Sequence, residues 1–383
     1  MRRRSHPACE RVAGAHAGLA GKLTPQMRSG RGKCATVGPC PRIDLACGDG
    51  SATLETPAMR SLRLFLPQPL PVAGALAGLP ALARILSRAR AIACGAGGWE
   101  AALLESFGVQ RQCDWPVAPL SWLGDGGEAG ASYWLRADPV HLRAERDALV
   151  LIDGRHFALE AEAASALVQA LNAHFESDGL RFFAPSPMRW YVAMDRVPEI
   201  ATSPLRAVAG RSVEPLLPQG DGALTWHRWF NDIQMMFHIH AVNEARESAG
   251  QATVNSVWFW GGGVLPARVR GGFAGLWGED PLARGLARAA GLPWTALPEN
   301  AAQWLAQAPE GEHVVVLDPF GVRQRETLEI MEHGWFAPLL RALRQRLLSK
   351  MTLLAESGDA TVRFELGPGD LWKFWRRMPA LVK

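Results

Sequence analysis

Tyrosine is nearly absent from this chain, with two in 383 residues. Pairable cysteines, long uninterrupted apolar runs and, over most of the length, any excess of positive charge are also missing. Each shortage excludes a class of protein. Cys9, Cys34, Cys40 and Cys47 lie before residue 59, and the remaining Cys94 and Cys113 form neither a metal-type spacing nor a disulfide framework. A reducing cytoplasm is the expected location. The apolar stretch 61–86 is broken by Pro67, Pro69, Pro71 and Pro80 and contains Gln68 and Arg84, so it does not read as a membrane helix. The formal charge of +4 is misleading: residues 1–58 hold 9 Lys/Arg against 4 Asp/Glu, which leaves 32 against 33 for residues 59–383. A nearly neutral body offers no basic groove, so neither nucleic acid nor a membrane is expected as a partner.

None of the 15 tryptophans falls in residues 1–58, and no period of 3.6 or 2 is sustained there. A segment with little apolar surface to bury cannot offset the entropy of ordering. We read 1–58 as a disordered leader or a mis-assigned start ahead of "MRSLRLFLP", and 59–383 as a single α/β domain with scope for a small subdomain.

From Leu62 the pattern alternates. "LRLFLP" reads as a strand, and "ALARILSRARAIA" and "WEAALLESFG" as helices. "ASYWLRADPVHL" and "DALVLID" read as strands joined by a turn, and 159–177 as a periodic helix. "RFFAPSPMRWYVAMD" gives two extended pieces around Pro185 and Pro187, where proline excludes central-strand pairing. A long helix over roughly 223–248, the strand "VNSVWFW", the helix "DPLARGLARAAG", the strand "HVVVLD", a helical stretch to about residue 348 and the strands "MTLLAE" and "ATVRFEL" follow. This order predicts an α/β fold with a mostly parallel sheet covered by helices on both faces. "CGAGGWEAA" (94–102) reads as a turn and helix start without an immediately preceding strand. "DLWKFWRR" (370–377) reads as a capped terminal helix packing Trp372 and Trp375.

The most chemical stretch is "MFHIHAVNEAR" (236–246). On a continuous helix His238 and His240 lie about 200° apart, so they cannot share a metal ion. The same wheel puts His240 at the edge of an apolar face and collects His227, Asn231, Gln234 and His238 into a neutral polar stripe. Downstream, Gly261, Gly262 and Gly263 end a strand, where α/β folds place their sites and where glycine lets backbone approach a ligand.

With "HIHAVNEARESAGQATVNSVWFWGGGVLP" in view, the chain resembles the proteobacterial RpfE-type regulatory proteins, relatives of archaeal-type cofactor-independent phosphoglycerate mutase. "ADPVHLRAERD", "RWYV" and "DLWKFWRR" resemble that group as well. The resemblance implies the alkaline phosphatase/phosphoglycerate mutase core. In that superfamily Asp and His residues at strand ends hold two divalent metals, and a Ser or Thr nucleophile attacks the phosphate. Here the first strand ends in Pro67-Gln68-Pro69 rather than Asp-Gly, Val322 stands where a histidine is expected after Asp318, and Asp359-Ala360 replaces an Asp-His pair. His313, Glu332 and His333 remain as scattered candidates.

The resulting expectation is a catalytically degenerate mutase relative that regulates or binds a small anionic, phosphorylated ligand without cofactor or metal. Its expected pocket is Gln234, His238, Asn243, Arg246, Asn255 and Gly261–Gly263, with Arg246 clamping the anion. The alternative is an active metal-dependent mutase or phosphatase with an unrecognised ligand set.

Overall fold

The computed structural model describes residues 60–71, 76–317, 324–357 and 360–376. The expected leader, Asp318, Val322 and Asp359 lie outside them. In chain order the strands are β1 (Arg60–Pro69), β2 (Arg90–Ala96), β3 (Tyr133–Glu145), β4 (Ala148–Ile152), β5 (Arg181–Ser186), β6 (Arg189–Met194), β7 (Ser256–Gly263), β8 (Gly275–Trp277), β9 (Trp294–Thr295), β10 (Glu312–Val316), β11 (Leu348–Ser357) and β12 (Ala360–Leu366).

Two sheets form. The larger runs β2-β12-β11-β1-β10-β8-β9. Its central pairings, β11 to β1, β1 to β10, β10 to β8 and β8 to β9, are parallel, and β12 is antiparallel to both neighbours. The smaller sheet, β4-β3-β6-β5 with β7 on β3, is antiparallel throughout. The fold is therefore α/β with a mixed main sheet; the expected parallel arrangement holds for its central pairings, while β12 and a second, antiparallel sheet depart from it. The reason is connection length. β3 and β4 are joined by the two-residue turn 146–147 and β5 and β6 by a similar hairpin, whereas parallel neighbours need a crossover. Pro185 sits in β5, at the sheet edge, as its missing N–H requires.

Alternation along β1 divides the core. Leu62, Leu64 and Leu66 pack against the helices Pro80–Arg88, Ala301–Gln307 and Ala337–Arg344, while Phe65 points to the other face. On that face the cover is shared: helices Gly98–Ser106 and Pro281–Ala290 contribute, and so do Val140, Leu142, Trp258 and Trp260 of the small sheet. A further cluster lies behind the small sheet, under helices Ala161–Phe175 and Ala223–His238.

Three local expectations change. "ALARILSRARAIA" is a helix only to Arg88, because Arg90–Ala96 pairs with β12 as an edge strand. The long helix is two: Ala223–His238 ends, and His240, with extended backbone, caps Ala241–Ser248 by accepting from the Val242 N–H at 3.2 Å. One wheel therefore does not describe residues 223–248, and His240 is a cap rather than a core-edge residue. At the C-terminal end, the short 3-10 turn Pro368–Trp372 leaves Trp372 80% and Trp375 66% exposed instead of packed. Among the described residues no helix is long and apolar enough to cross a membrane.

Candidate functional site

The expected pocket residues are strongly placed, but by backbone. Asn243, 3% exposed, donates to the carbonyls of Phe237 and Val254, both at 2.8 Å, and accepts from the Val254 N–H at 2.9 Å. It staples the end of one helix and the start of the next to the segment entering β7. Arg246, 8% exposed, donates through Nε to the Ala252 carbonyl and through Nη2 to the Ala158 carbonyl, each at 2.8 Å. Burial lowers its pKa, with Glu160 opposing. Asn255 reads β3 as a strand would, accepting from the Leu142 N–H at 2.7 Å and donating to the Leu142 carbonyl at 2.9 Å. Gln234 donates weakly to the Phe230 carbonyl of its own helix, and His238 is exposed.

The three glycines serve close packing. A Cβ on Gly261, at φ +68°, would lie 2.9 Å from Cβ of Val117; one on Gly262 would strike the Tyr133 hydroxyl, and one on Gly263 would lie 2.6 Å from Cβ of Pro116. Gly261 and Gly263 let β7 lie against residues 112–118, and Gly262 makes room for Tyr133 of β3. The eight residues do not converge: none of them lines the cavity described next.

That cavity, about 100 Å³, lies between the two sheets, past the carboxyl ends of β1 and β8, where parallel sheets place their ligands. The small sheet supplies one wall. Arg136 and Asp138 alternate onto one face of β3 and pair, Nη2 to Oδ1, at 2.6 Å. Asp138 also accepts from the Trp190 N–H at 3.2 Å and from Trp260 Nε1 at 2.8 Å. The Arg136 guanidinium lies 5.1 Å and 5.2 Å from the ring centroids of Tyr191 and Trp260. Burial works against its charge, but Asp138, Tyr191 and Asp280 together outweigh it, and its pKa is raised. Just after β4, buried Asp153 accepts from Arg155 Nε at 2.7 Å and bonds His156 Nδ1 at 3.2 Å.

Helix starts of the main sheet supply the other wall. β2 runs directly into Gly97 and Gly98, at φ +136° and +76°, and the helix Gly98–Ser106 begins there, carrying buried Glu100. The strand that "CGAGGWEAA" was read as lacking is thus present. Asp280 is the N-cap of Pro281–Ala290, accepting from the Leu282 and Ala283 N–H groups at 2.8 Å and 3.3 Å. Arg206 has Nε 3.9 Å from Glu100, donates to the Pro67 carbonyl at 2.8 Å and lies 5.8 Å from the Trp99 ring centroid. Burial pushes Glu100 up to about 7 despite Arg206, and Glu356 and Asp280 add to the rise. Burial likewise raises Asp280.

Helix Val117–Gly124 closes the side of the cavity. It crosses Pro281–Ala290 so closely that a Cβ on Gly285 would overlap the Leu120 carbonyl, and this holds Ser121 in the lining. Among the described residues, Ser121 Oγ and Trp99 Nε1 have no hydrogen-bond partner, at 1% and 2% residue exposure. A sequence signal for this site existed: "LRADPV" and "IDGR" place opposite charges two residues apart in buried strands or at their ends.

Among the described residues the donor set does not fit a two-metal site. Among the described residues no three His, Cys, Asp or Glu side chains converge as metal ligands. At the end of β1, the Arg206 guanidinium donates to the Pro67 carbonyl at 2.8 Å, which places a fixed cation there. Two of the scattered candidates are tied into the fold. His313 is fully buried, bonding the Pro309 carbonyl at 2.9 Å and accepting from Trp277 Nε1 at 3.2 Å, with its pKa lowered by burial. Glu332 accepts from the Ala81 and Leu82 N–H groups at the start of Pro80–Arg88, and His333 is exposed.

No family model matches the chain. A Geobacter sulfurreducens protein described as "Probable 2,3-bisphosphoglycerate-independent phosphoglycerate mutase" is 26% identical over 172 residues, 44% of this chain and 43% of that protein. The chain thus matches less than half the length of this curated relative. Among solved structures, the cofactor-independent phosphoglycerate mutase from Thermoplasma acidophilum is similar at 16% identity over 81% of this chain and 90% of its own, with a TM-score of 0.39. The PH0037 protein from Pyrococcus horikoshii is similar at 13% identity over 81% and 87%, with a TM-score of 0.46. The chain is distantly similar to cofactor-independent phosphoglycerate mutase.

Proposed function

We propose that this chain is a catalytically degenerate relative of cofactor-independent phosphoglycerate mutase, of the RpfE type, that acts as a cytoplasmic regulatory protein by binding a small molecule with an anionic group. The cavity between the sheets is its site, with Arg136 and Arg155 facing the anion. The observation that carries this reading is Arg206 at the end of β1, bonded to Pro67 and shared by Glu100 and Asp280. A permanent guanidinium there supplies positive charge that cannot polarise and activate a nucleophile as a divalent ion does, yet keeps the location polar and desolvated. The Cys94 thiol suits a reducing compartment.

The test is turnover. Protein incubated with Mn²⁺ and 3-phosphoglycerate is expected to form no 2-phosphoglycerate and to release no phosphate. Turnover that disappears with chelator, returns with Mn²⁺ and is lost in Ser121→Ala would establish the active-enzyme reading instead.

A further inference from the structure

The two walls of the cavity differ in charge. The β3–β4 wall is balanced, with Arg136 on Asp138 and Arg155 on Asp153, and it keeps donors in reserve: neither Nη of Arg155 has a protein partner among the described residues. The helix-start wall sets two carboxyl groups, Glu100 and Asp280, beside one guanidinium, Arg206, whose Nε lies 3.9 Å from Glu100. The lining as a whole holds four carboxylates and three guanidiniums. A simple anion would face Glu100 and Asp280 in a desolvated space and keep them protonated, whereas an ammonium would pair with their ionised forms. Independently, Ser121 Oγ and Trp99 Nε1 are buried in the lining and lack partners, as polar groups reserved for a ligand do.

We propose that the cavity takes a small zwitterion, with its ammonium beside Glu100 and Asp280 and its carboxylate or phosphate on Arg155. This rests on the cavity being the ligand site and adds the chemical class of the ligand. Size sets a limit: a cavity of roughly 150 Å³ holds benzene, and this one is about 100 Å³, so the enclosed part of the ligand is a short aminoalkyl end and not a whole phosphoglycerate. Arg155, with 43% of its side chain exposed, sits at the mouth, so the anionic end can extend outward while the ammonium enters first.

Isothermal titration of the full chain at pH 7 with β-alanine and 2-aminoethyl phosphate, against propionate, inorganic phosphate, ethylamine and glycerol, tests this. The zwitterions are expected to bind at least about tenfold more tightly than the probe lacking either charge, roughly one charge-assisted contact. Glu100→Gln and Arg155→Gln should each remove about tenfold of that affinity, while the glutamine at 155 retains a donor toward Asp153 and the melting temperature is held. Propionate or phosphate binding as tightly as its amino counterpart would overturn the zwitterion and leave an anion site. Glycerol binding best would overturn it in favour of a neutral polyol. If no probe binds, or if binding is indifferent to both substitutions, the zwitterion assignment fails; if Ser121→Leu, which fills the cavity, also spares binding, the cavity reading fails with it.

Discussion

Two polar clusters of this molecule use similar side chains to opposite ends. Around Asn243, Arg246 and Asn255, every strong hydrogen bond goes to backbone of another segment, so the amides and guanidinium act as extra rungs between helix and strand. Around the cavity, side chains bond chiefly to one another, and Ser121 and Trp99 have polar atoms left over. A polar group saturated by backbone contributes stability, and one that faces an incompletely satisfied cavity is available for a ligand. Burial does not distinguish the clusters, because both are buried; the identity of the partner does.

The comparison is tested most severely at Asp138. Asp138→Ala strands Arg136, the Trp260 N–H and the Trp190 N–H together, and should cost about 3–5 kcal/mol in urea unfolding. Arg136→Met combined with Asp138→Leu should recover part of that loss. A single substitution costing under about 1 kcal/mol would show that this wall is not an ionic unit.

Next in size is the pH dependence of Glu100. Its folded pKa of about 7 lies above the ordinary value of 4.5, so between these pH values the folded chain holds a proton that the unfolded chain has released. The associated stability is fully present below pH 4.5 and is lost as pH rises through 7, on the order of 3 kcal/mol. Glu100→Gln cannot titrate. Its urea midpoint should decline less than that of the unmodified chain between pH 5 and pH 8, and parallel profiles would refute the assignment.

For the backbone-stapling cluster, Asn243→Ala removes three hydrogen bonds and leaves buried Val254 groups unpaired, an expected loss of about 2–3 kcal/mol with no effect on ligand titrations. A change in zwitterion affinity without a change in stability would reverse the roles of the two clusters. The smallest effect belongs to His238→Ala at an exposed helix end, within about 0.5 kcal/mol by thermal melting. A larger shift would mean that the polar stripe of its helix has a partner.

Helix Pro281–Ala290 was legible in full, because Asp280 as cap, Pro281 in the first turn and Gly291 in the left-handed region at its end are local signals. The break at Ile239–His240 was not, since the histidine cap depends on the following segment turning back to meet Asn243. The pocket expectation around Arg246 drew its residues from one continuous stretch, as a linear reading does. The cavity instead gathers Glu100, Arg136, Asp153, Arg206 and Asp280 from five separated segments.

What the sequence alone determined is the set of elements with local causes: the buried run of β1, the Arg-x-Asp alternation of β3, the hairpin turns, the caps and the want of an acidic turn at Pro67-Gln68-Pro69. Periodicity, φ preference and capping act within a few residues, so they can be read without the fold. Tertiary structure alone decided that a second, antiparallel sheet would share the cover of the main one, that Arg246 would face two carbonyls, and that Glu100 and Asp280 would share Arg206 while the β3–β4 wall kept its own ion pairs. Which charges meet depends on contacts between residues tens to hundreds of positions apart, and electrostatic energy at a buried site is set by those distances and by the water they exclude.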